Sequence, residues 1–411
     1  MRKSNFKAEF FQSNRQRLKT LFTGKAPIVI TANGQMQRSS DSAYLFAQDA
    51  NFWYLTGIDE PDIILVLDKD KEYLIVPSRS SSREAFEGAI SYDELRAISG
   101  IKQIYDDKEG WNQLSSRLKK VKHVATLSVP PAYIDQLGMY TNPARAQLLV
   151  KIKEHNSLIE PLHITSHLSL MRMIKQPEEI EAINSAIEIT SQAIKKTMTP
   201  AKIAKYENES QIEAEISKYF RTHHAQGHAF DPIVANGINA CTIHYNQNNS
   251  KLNKKDLLLI DVGAEFNHYA SDLTRTFSLS SPSKRQQAVY DAVLDVQTYA
   301  ISLLKPGVLL DDYENDIEHY MGEKLRELGL IKTINHENVR KYYPYYSSHF
   351  LGLNVHDSGL HDRPLEPGMI LTVEPGIHIK KENIGVRIED NVLITEDGCR
   401  VLSEKLPKRL C

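Results

Sequence analysis

Apolar residues in the first part of the chain fall into short dense runs. "PIVIT", "IILVLD" and "EYLIVP" read as strands, whereas Asp93–Ile98 and Trp111–Lys119 repeat their apolar positions at helical spacing. Ahead of them, the start is Arg/Lys-rich with Glu9 its only acid, a composition that suits an organelle transit peptide, while the spacing of Phe6, Phe10, Phe11, Leu18, Leu21 and Phe22 equally suits a first helix. This alternation predicts a modest α/β domain. The pattern changes at "MRMIKQPEEIEAI", where Pro177 is placed to open a helix and Glu178, Glu179 and Glu181 suit its dipole. The boundary is set there, giving expected domains of residues 1–169 and 170–411.

Beyond the boundary, Ile180, Ile183, Ile187 and Ile194 keep one helical face apolar. A second helix carrying Ile212, Ile216 and Phe220 follows, with Gly227 expected to end it. "DLLLIDVGAEFNHYASDLTRTFSL" is strand-like on both sides of a polar centre at Phe266–Asn267 and reads as a hairpin. The order then repeats, with helices over Ser283–Leu304 and Asp312–Leu328, the latter closed by Gly329, and a second strand pair in "MILTVEPGIHIKKENIGVRIEDNVLIT". Helix, helix, hairpin therefore occurs twice. The duplication predicts two hairpins in comparable positions of one curved sheet.

Composition narrows the function class. The 411 residues suffice for two or three domains, and 50 Lys plus Arg against 52 Asp plus Glu give no electrostatic reason to expect nucleic acid or an anionic membrane as partner. No apolar run approaches the roughly 18 residues of a membrane span, and the basic start lacks the continuous apolar core of a secretory signal. Three widely spaced cysteines, Cys241, Cys399 and Cys411, suit a reducing cytoplasm better than a disulfide framework or a thiolate metal site. Cys241 reads as a small buried hydrophobe rather than a nucleophile.

The acids in the hairpins carry the chemistry. Asp261 and Asp272 are equidistant from the expected centre of the first hairpin, which would set them directly opposite on one face. Opposed carboxylates repel, and Asp261 follows the buried-looking run "LLLI", so the pair calls for a cation, a shared proton or strong donors. Glu374 and Glu389 repeat the arrangement about Lys380–Asn383, and Arg387 shares a strand face with Glu389. An Arg/Glu network on an exposed face is the alternative. The run "SSHFLGLNVHD" adds His349 and His356, each a packed core histidine or a functional one on its own evidence. Four carboxylates and an imidazole suit two divalent ions, oxygen-rich coordination favouring manganese, cobalt, zinc or iron. Two such ions generate hydroxide and polarise a carbonyl, which is the chemistry of acyl hydrolysis.

"DVGAEFNHYASDLTRTF", "SSHFLGLNVHD", "LEPGMILTVEPGIHI" and "GVRIEDN" resemble the pita-bread metallopeptidase superfamily. They supply its Asp, Asp, His, Glu, Glu order as Asp261, Asp272, His349, Glu374 and Glu389. "SSDSAYLFAQDANFWYLTGIDEPDIILVL" resembles the amino-terminal domain of its aminopeptidase P branch. The resemblance implies a creatinase-like α/β domain followed by a pita-bread catalytic domain with internal pseudo-twofold duplication. It also implies an Xaa-Pro aminopeptidase using two divalent ions, manganese first, in which a metal-bridging hydroxide attacks the carbonyl before proline. Asp261 would hold one ion and His349 the other, with Asp272 and Glu389 bridging. Glu374 would be a ligand that exchanges protons. His244 and His356 would bind substrate and stabilise the tetrahedral gem-diolate, and Arg387 would orient the site.

Two residues depart from the pattern. Tyr345 stands where the family commonly has histidine, and His378 where it commonly has tyrosine. Both positions lie near substrate in relatives, so substrate preference is expected to differ or to be unaffected. The expected partners are peptides with proline second, and analogy with the family implies a homodimer or homotetramer. A prolidase restricted to Xaa-Pro dipeptides, or a catalytically weak peptide-binding protein of the same fold, are the rival expectations.

Overall fold

The computed structural model describes residues 6–129 and 138–410, and the chain forms two compact units that meet in sequence at Met171 and Arg172. Cys411 lies outside the described residues.

The first unit is built on a six-stranded sheet in the order Gln103–Asp106, Lys71–Val76, Ile64–Asp68, Ile28–Thr31, His123–Thr126, Glu160–His163. Ile64–Asp68 runs antiparallel to both neighbours, while the outer joints are parallel. Parallel joints need crossovers; the helix Ala144–His155 supplies the one between His123–Thr126 and Glu160–His163, and the helix Asp107–Leu118 carries the chain from Gln103–Asp106 across to His123–Thr126. That helix buries Trp111, Leu114 and Leu118 against Val29, Val66, Ile75 and Val124 of the sheet. The phenylalanine-rich start forms the helix Ala8–Leu21, with Phe10, Phe11 and Leu18 buried.

The second unit opens with the helix Pro177–Thr197. Glu179 closes a capping box by accepting from the Gln176 amide at 2.9 Å, and its other oxygen accepts from the Tyr269 hydroxyl at 2.8 Å. The first hairpin is thereby tied to the start of this helix. After the short helix Pro200–Ile203, the helix Glu209–Thr222 ends without Gly227. His224 takes the left-handed conformation with φ 67°, and Gly227 instead starts the short strand Gly227–His228 against Ala264–Glu265.

The first hairpin differs from expectation by one residue in its turn. Asn267 and His268 both adopt positive φ, 50° and 68°, so the two-residue turn is centred between them rather than at Phe266–Asn267. Asp261 therefore faces Thr274, and Val262 faces Leu273. Continued by one step, this register puts Asp272 across from Gly263. The two aspartates share a face as diagonal neighbours, not as a directly opposed pair. Gly263 is required at this point, because a Cβ there would lie 1.7 Å from the Ser271 carbonyl oxygen.

The second hairpin keeps the expected register. Val373 faces Asp390 and Gly376 faces Arg387, which places Glu374 across from Glu389 between the two ladders. The hairpins form separate ladders rather than one continuous sheet. They are joined by the Glu389 amide donating to the Thr274 carbonyl at 3.0 Å and by the side chains of Arg275, Thr276 and Asn391. Behind this seam the helix Lys284–Leu303 packs Val289, Val293 and Val296 into a core shared with Ile377, Val386 and Val392.

Candidate metal centre

Three stretches of backbone bring the acids and the imidazole together. Asp261 sits in the strand Leu257–Val262, every residue of which is buried, and Asp272 directly precedes the strand Leu273–Ser278. The "SSHFL" segment runs antiparallel to Ile370–Val373, with Phe350 bridging to Leu371, the Thr372 amide donating to the His349 carbonyl, and the Glu374 amide donating to the Ser347 carbonyl. His349 and Glu374 are diagonal neighbours on one face as a result. The His349 Nε2 atom lies 3.3 Å from Glu374 Oε1 and 3.5 Å from Asp272 Oδ2. Its Nδ1–H donates to the Phe350 carbonyl at 3.1 Å, which turns the other nitrogen toward the carboxylates.

Donor atoms of Asp272, His349 and Glu389 all lie within 4.8 Å of one another. Arg387 borders the group, pairing with Asp261, standing 3.9 Å from Glu374 Oε2, and donating through Nε to the Thr274 hydroxyl at 3.1 Å. That hydroxyl in turn donates to Glu389 Oε2 at 2.7 Å. Thr274 was not singled out in the sequence because a threonine in a β-run reads as strand filler. The available signal was its place two residues after Asp272, on the same face.

Electrostatics favour a cation. Asp261 and Glu389 are 6% and 1% exposed, and Asp261 Oδ1 and Glu389 Oε1 accept no hydrogen bond among the described residues. Burial raises both carboxyls above the usual range. Repulsion from Asp272 and Glu374 adds to it, and Arg387 offsets it only in part. For His349, burial opposes the imidazolium, yet hydrogen bonds and charge from Asp272 and Glu374 carry it up to about 10. Unshared buried oxygens on Asp261 and Glu389, together with Asp272 and Glu374 facing the His349 nitrogen, fit divalent ions held by oxygen and nitrogen. Asp261, Asp272, His349, Glu374 and Glu389 are the residues present that could hold them.

The remaining candidates border this group. His356 meets His349 edge-on with ring centroids 4.4 Å apart. It is held below the ordinary imidazole range, chiefly by burial and then by His349, with a contribution from His244. His244 is exposed on the loop after the short helix Gly237–Cys241. Asp357 fixes the His356 end of its loop by pairing with Arg172 and, at 3.2 Å, with Lys175, all three side chains being buried. At the other end, Glu314 accepts from the Ser347 and Ser348 amides at 2.8 and 3.0 Å. Burial pushes its carboxyl up to about 7 against the pull of those donors. Neither Asp357 nor Glu314 was legible as a site residue, because their partners are far away in sequence.

Tyr345 and His378 meet each other. The His378 Nδ1–H donates to the Ala240 carbonyl at 2.7 Å, so the bare Nε2 accepts from the Tyr345 hydroxyl. The Arg387 guanidinium lies over the Tyr345 ring, 5.9 Å from its centroid. Burial, then Arg387, holds His378 down to about 3, which keeps it neutral. Cys241 is buried, its thiol pushed up to about 11 by burial, as suits a packing residue.

Comparison with known proteins agrees with this geometry. Residues 181–396 match the model of metallopeptidase family M24, and residues 11–125 match that of the aminopeptidase P amino-terminal domain. Xaa-Pro aminopeptidase 3 of Homo sapiens is 34% identical, the match covering 93% of this chain and 79% of the human protein. The Xaa-Pro aminopeptidase of Haemophilus influenzae is 33% identical, over 98% of this chain and 95% of its own. The solved structure of Escherichia coli aminopeptidase P with the inhibitor Pro-Leu superposes with a TM-score of 0.85 at 31% identity, covering 99% of this chain and 97% of that one. With its carboxylates and imidazole gathered on the paired hairpins and both parts of the chain matched, this protein belongs to metallopeptidase family M24 and is a metal-dependent aminopeptidase.

Proposed function

We propose that the chain is an Xaa-Pro aminopeptidase that releases the first residue of a peptide whose second residue is proline. Residues 1–169 form its aminopeptidase P-type domain and residues 170–411 its catalytic domain. The observation that carries this reading is the approach of Asp272, His349 and Glu389 to within 4.8 Å, with Asp261 and Glu389 each retaining a buried, unshared oxygen. Two divalent ions, manganese first, would be held by Asp261 on one side and His349 on the other, with Asp272 and Glu389 between them and Glu374 completing the set. When bound, such ions supply a nucleophile from water near neutral pH and polarise the scissile carbonyl.

The chain's own residues do the rest. Glu374, 17% exposed at its side chain, takes a proton from the attacking water and passes it to the departing proline nitrogen. His356 and His244 bind the peptide and donate to the oxygen that gains charge. Arg387 and Thr274 hold Asp261 and Glu389 in place. A proline amide has no N–H, so a site that cuts before it cannot rely on that donor to grip the substrate. Cysteine usage supports a cytoplasmic setting, and the family analogy a homodimer or homotetramer. No described helix is long and apolar enough to cross a membrane.

A mass-spectrometric digest with manganese, using matched Xaa-Pro dipeptides and Xaa-Pro-Xaa tripeptides, tests the reading. Metal-dependent release of the first residue from the tripeptide is expected. Cleavage of the dipeptide alone would make the protein a prolidase, and metal uptake without cleavage of either would make it a peptide-binding protein of this fold.

A further inference from the structure

Beside the centre lies a cavity of about 610 Å³ within the second unit. Its wall includes Cys241 and Thr242, just ahead of His244, and also His378, the hydrogen-bond partner of Tyr345. Lys341, Lys380 and Lys381 line it as well, all three exposed. The single carboxylate in the lining, Glu382, is already held by Arg285 through two hydrogen bonds of 2.7 and 2.9 Å. Lys341 reaches Glu337 at 3.2 Å, outside the lining. Lys380 and Lys381 have no ion-pair partner among the described residues, and the charge of Lys380 is felt by the thiol of Cys241 across the wall. A chain with a net charge of −2 thus concentrates three ammonium groups on one groove next to its reactive centre.

We propose that this groove binds the part of the substrate beyond proline and selects for a carboxylate there, either the free C-terminus of a short peptide or an acidic side chain. The inference rests on the Xaa-Pro reading. An aminopeptidase holds its substrate with a single residue on the amino side of the cut bond, so the remaining length has to leave the centre along its wall. The wall formed by Thr242 and His378 leads into the lysines. Like-charged ammonium groups gathered around one concave surface attract an anion more strongly than isolated surface lysines do.

The test uses the full-length protein loaded with manganese and two peptides, Ala-Pro-Ala-Glu with a free C-terminus and Ala-Pro-Ala-Gln amide. The wild type should favour the acidic peptide in kcat/KM by about tenfold, mostly through KM, and the preference should shrink as salt is raised. The Lys380→Gln/Lys381→Gln double variant should lose that preference while cutting the neutral peptide as the wild type does. Equal preference in the two proteins would overturn the proposal and leave the Xaa-Pro reading intact. If neither peptide is cut, that reading fails, and calorimetric titration decides the groove independently. Tighter binding of the acidic peptide by the wild type than by the variant upholds it, and equal binding overturns it.

Discussion

The Tyr345 hydroxyl and the His378 Nε2 atom are hydrogen-bonded at 3.2 Å. They are the two positions that the sequence sets apart from the family resemblance, and the fold joins them in one contact. The contact joins the loop of Ala240, through His378 and Tyr345, to Arg387 and so to Asp261.

The contact predicts a coupled pair. Tyr345→Phe leaves the buried His378 Nε2 without its donor, at a cost of about 1–3 kcal/mol. Cleavage of an Xaa-Pro tripeptide should fall roughly tenfold in kcat/KM with metal content unchanged. The reciprocal double variant, Tyr345→His with His378→Tyr, should be more active than the product of the single effects allows. A double-mutant cycle on kcat/KM measures this, and strictly additive effects would show that the two residues act independently.

His349→Ala removes the imidazole from the carboxylate cluster. Metal content measured by elemental analysis should drop, and tripeptide cleavage should fall to background. Retained activity at full metal occupancy would remove His349 from the ligand set.

Chelation should cost stability as well as activity, because it leaves Asp261, Asp272, Glu374 and Glu389 crowded together without a cation. Metal at a hundredfold excess over Kd contributes about 2.7 kcal/mol. For a unit of this size that corresponds to a loss of roughly 5–10 °C in Tm on addition of chelator, read by calorimetry. Manganese in excess of the chelator should restore both Tm and cleavage. An unchanged Tm would mean that no ion offsets the repulsion among these acids.

His228 gives a pH dependence remote from the centre. Its Nε2 meets the Ser217 hydroxyl at 2.7 Å, while its buried Nδ1 has no partner among the described residues, and burial pushes the imidazole down to about 4 from 6.5. Between those two values the unfolded chain takes up a proton that the folded chain refuses, so stability falls as pH drops from about 6.5 to 4. The loss attributable to this residue is at most about 3 kcal/mol. His228→Gln should flatten that part of the stability profile in urea titrations, and a parallel loss in wild type and variant would exclude His228 as the cause.

Legibility in the sequence followed the range of the interactions. Register within the second hairpin was readable because its polar centre at Lys380–Asn383 is symmetric, and Glu374 does face Glu389. The first hairpin slipped by one residue, because Asn267 and His268 both adopt positive φ and His268 gave no hint of it. Contacts between segments left no local trace. Arg172 and Lys175 reach Asp357, and Glu314 reaches Ser347 and Ser348, without any period or motif to announce them. Nor does either half of the Tyr345–His378 pair point to the other, so each looked like an isolated oddity.

Gly263 shows how a residue without functional atoms can govern chemistry. The arms of the first hairpin are pinched together where it faces Asp272, with the Ser271 carbonyl oxygen occupying the place of a side chain. Even a methyl group would force the arms apart, and the spread would fall between Asp261 on one arm and Asp272 on the other. The spacing between the Asp261 and Asp272 carboxylates is therefore set by main-chain contact. Substitution of Gly263 would move the two acids relative to one another without removing any donor atom.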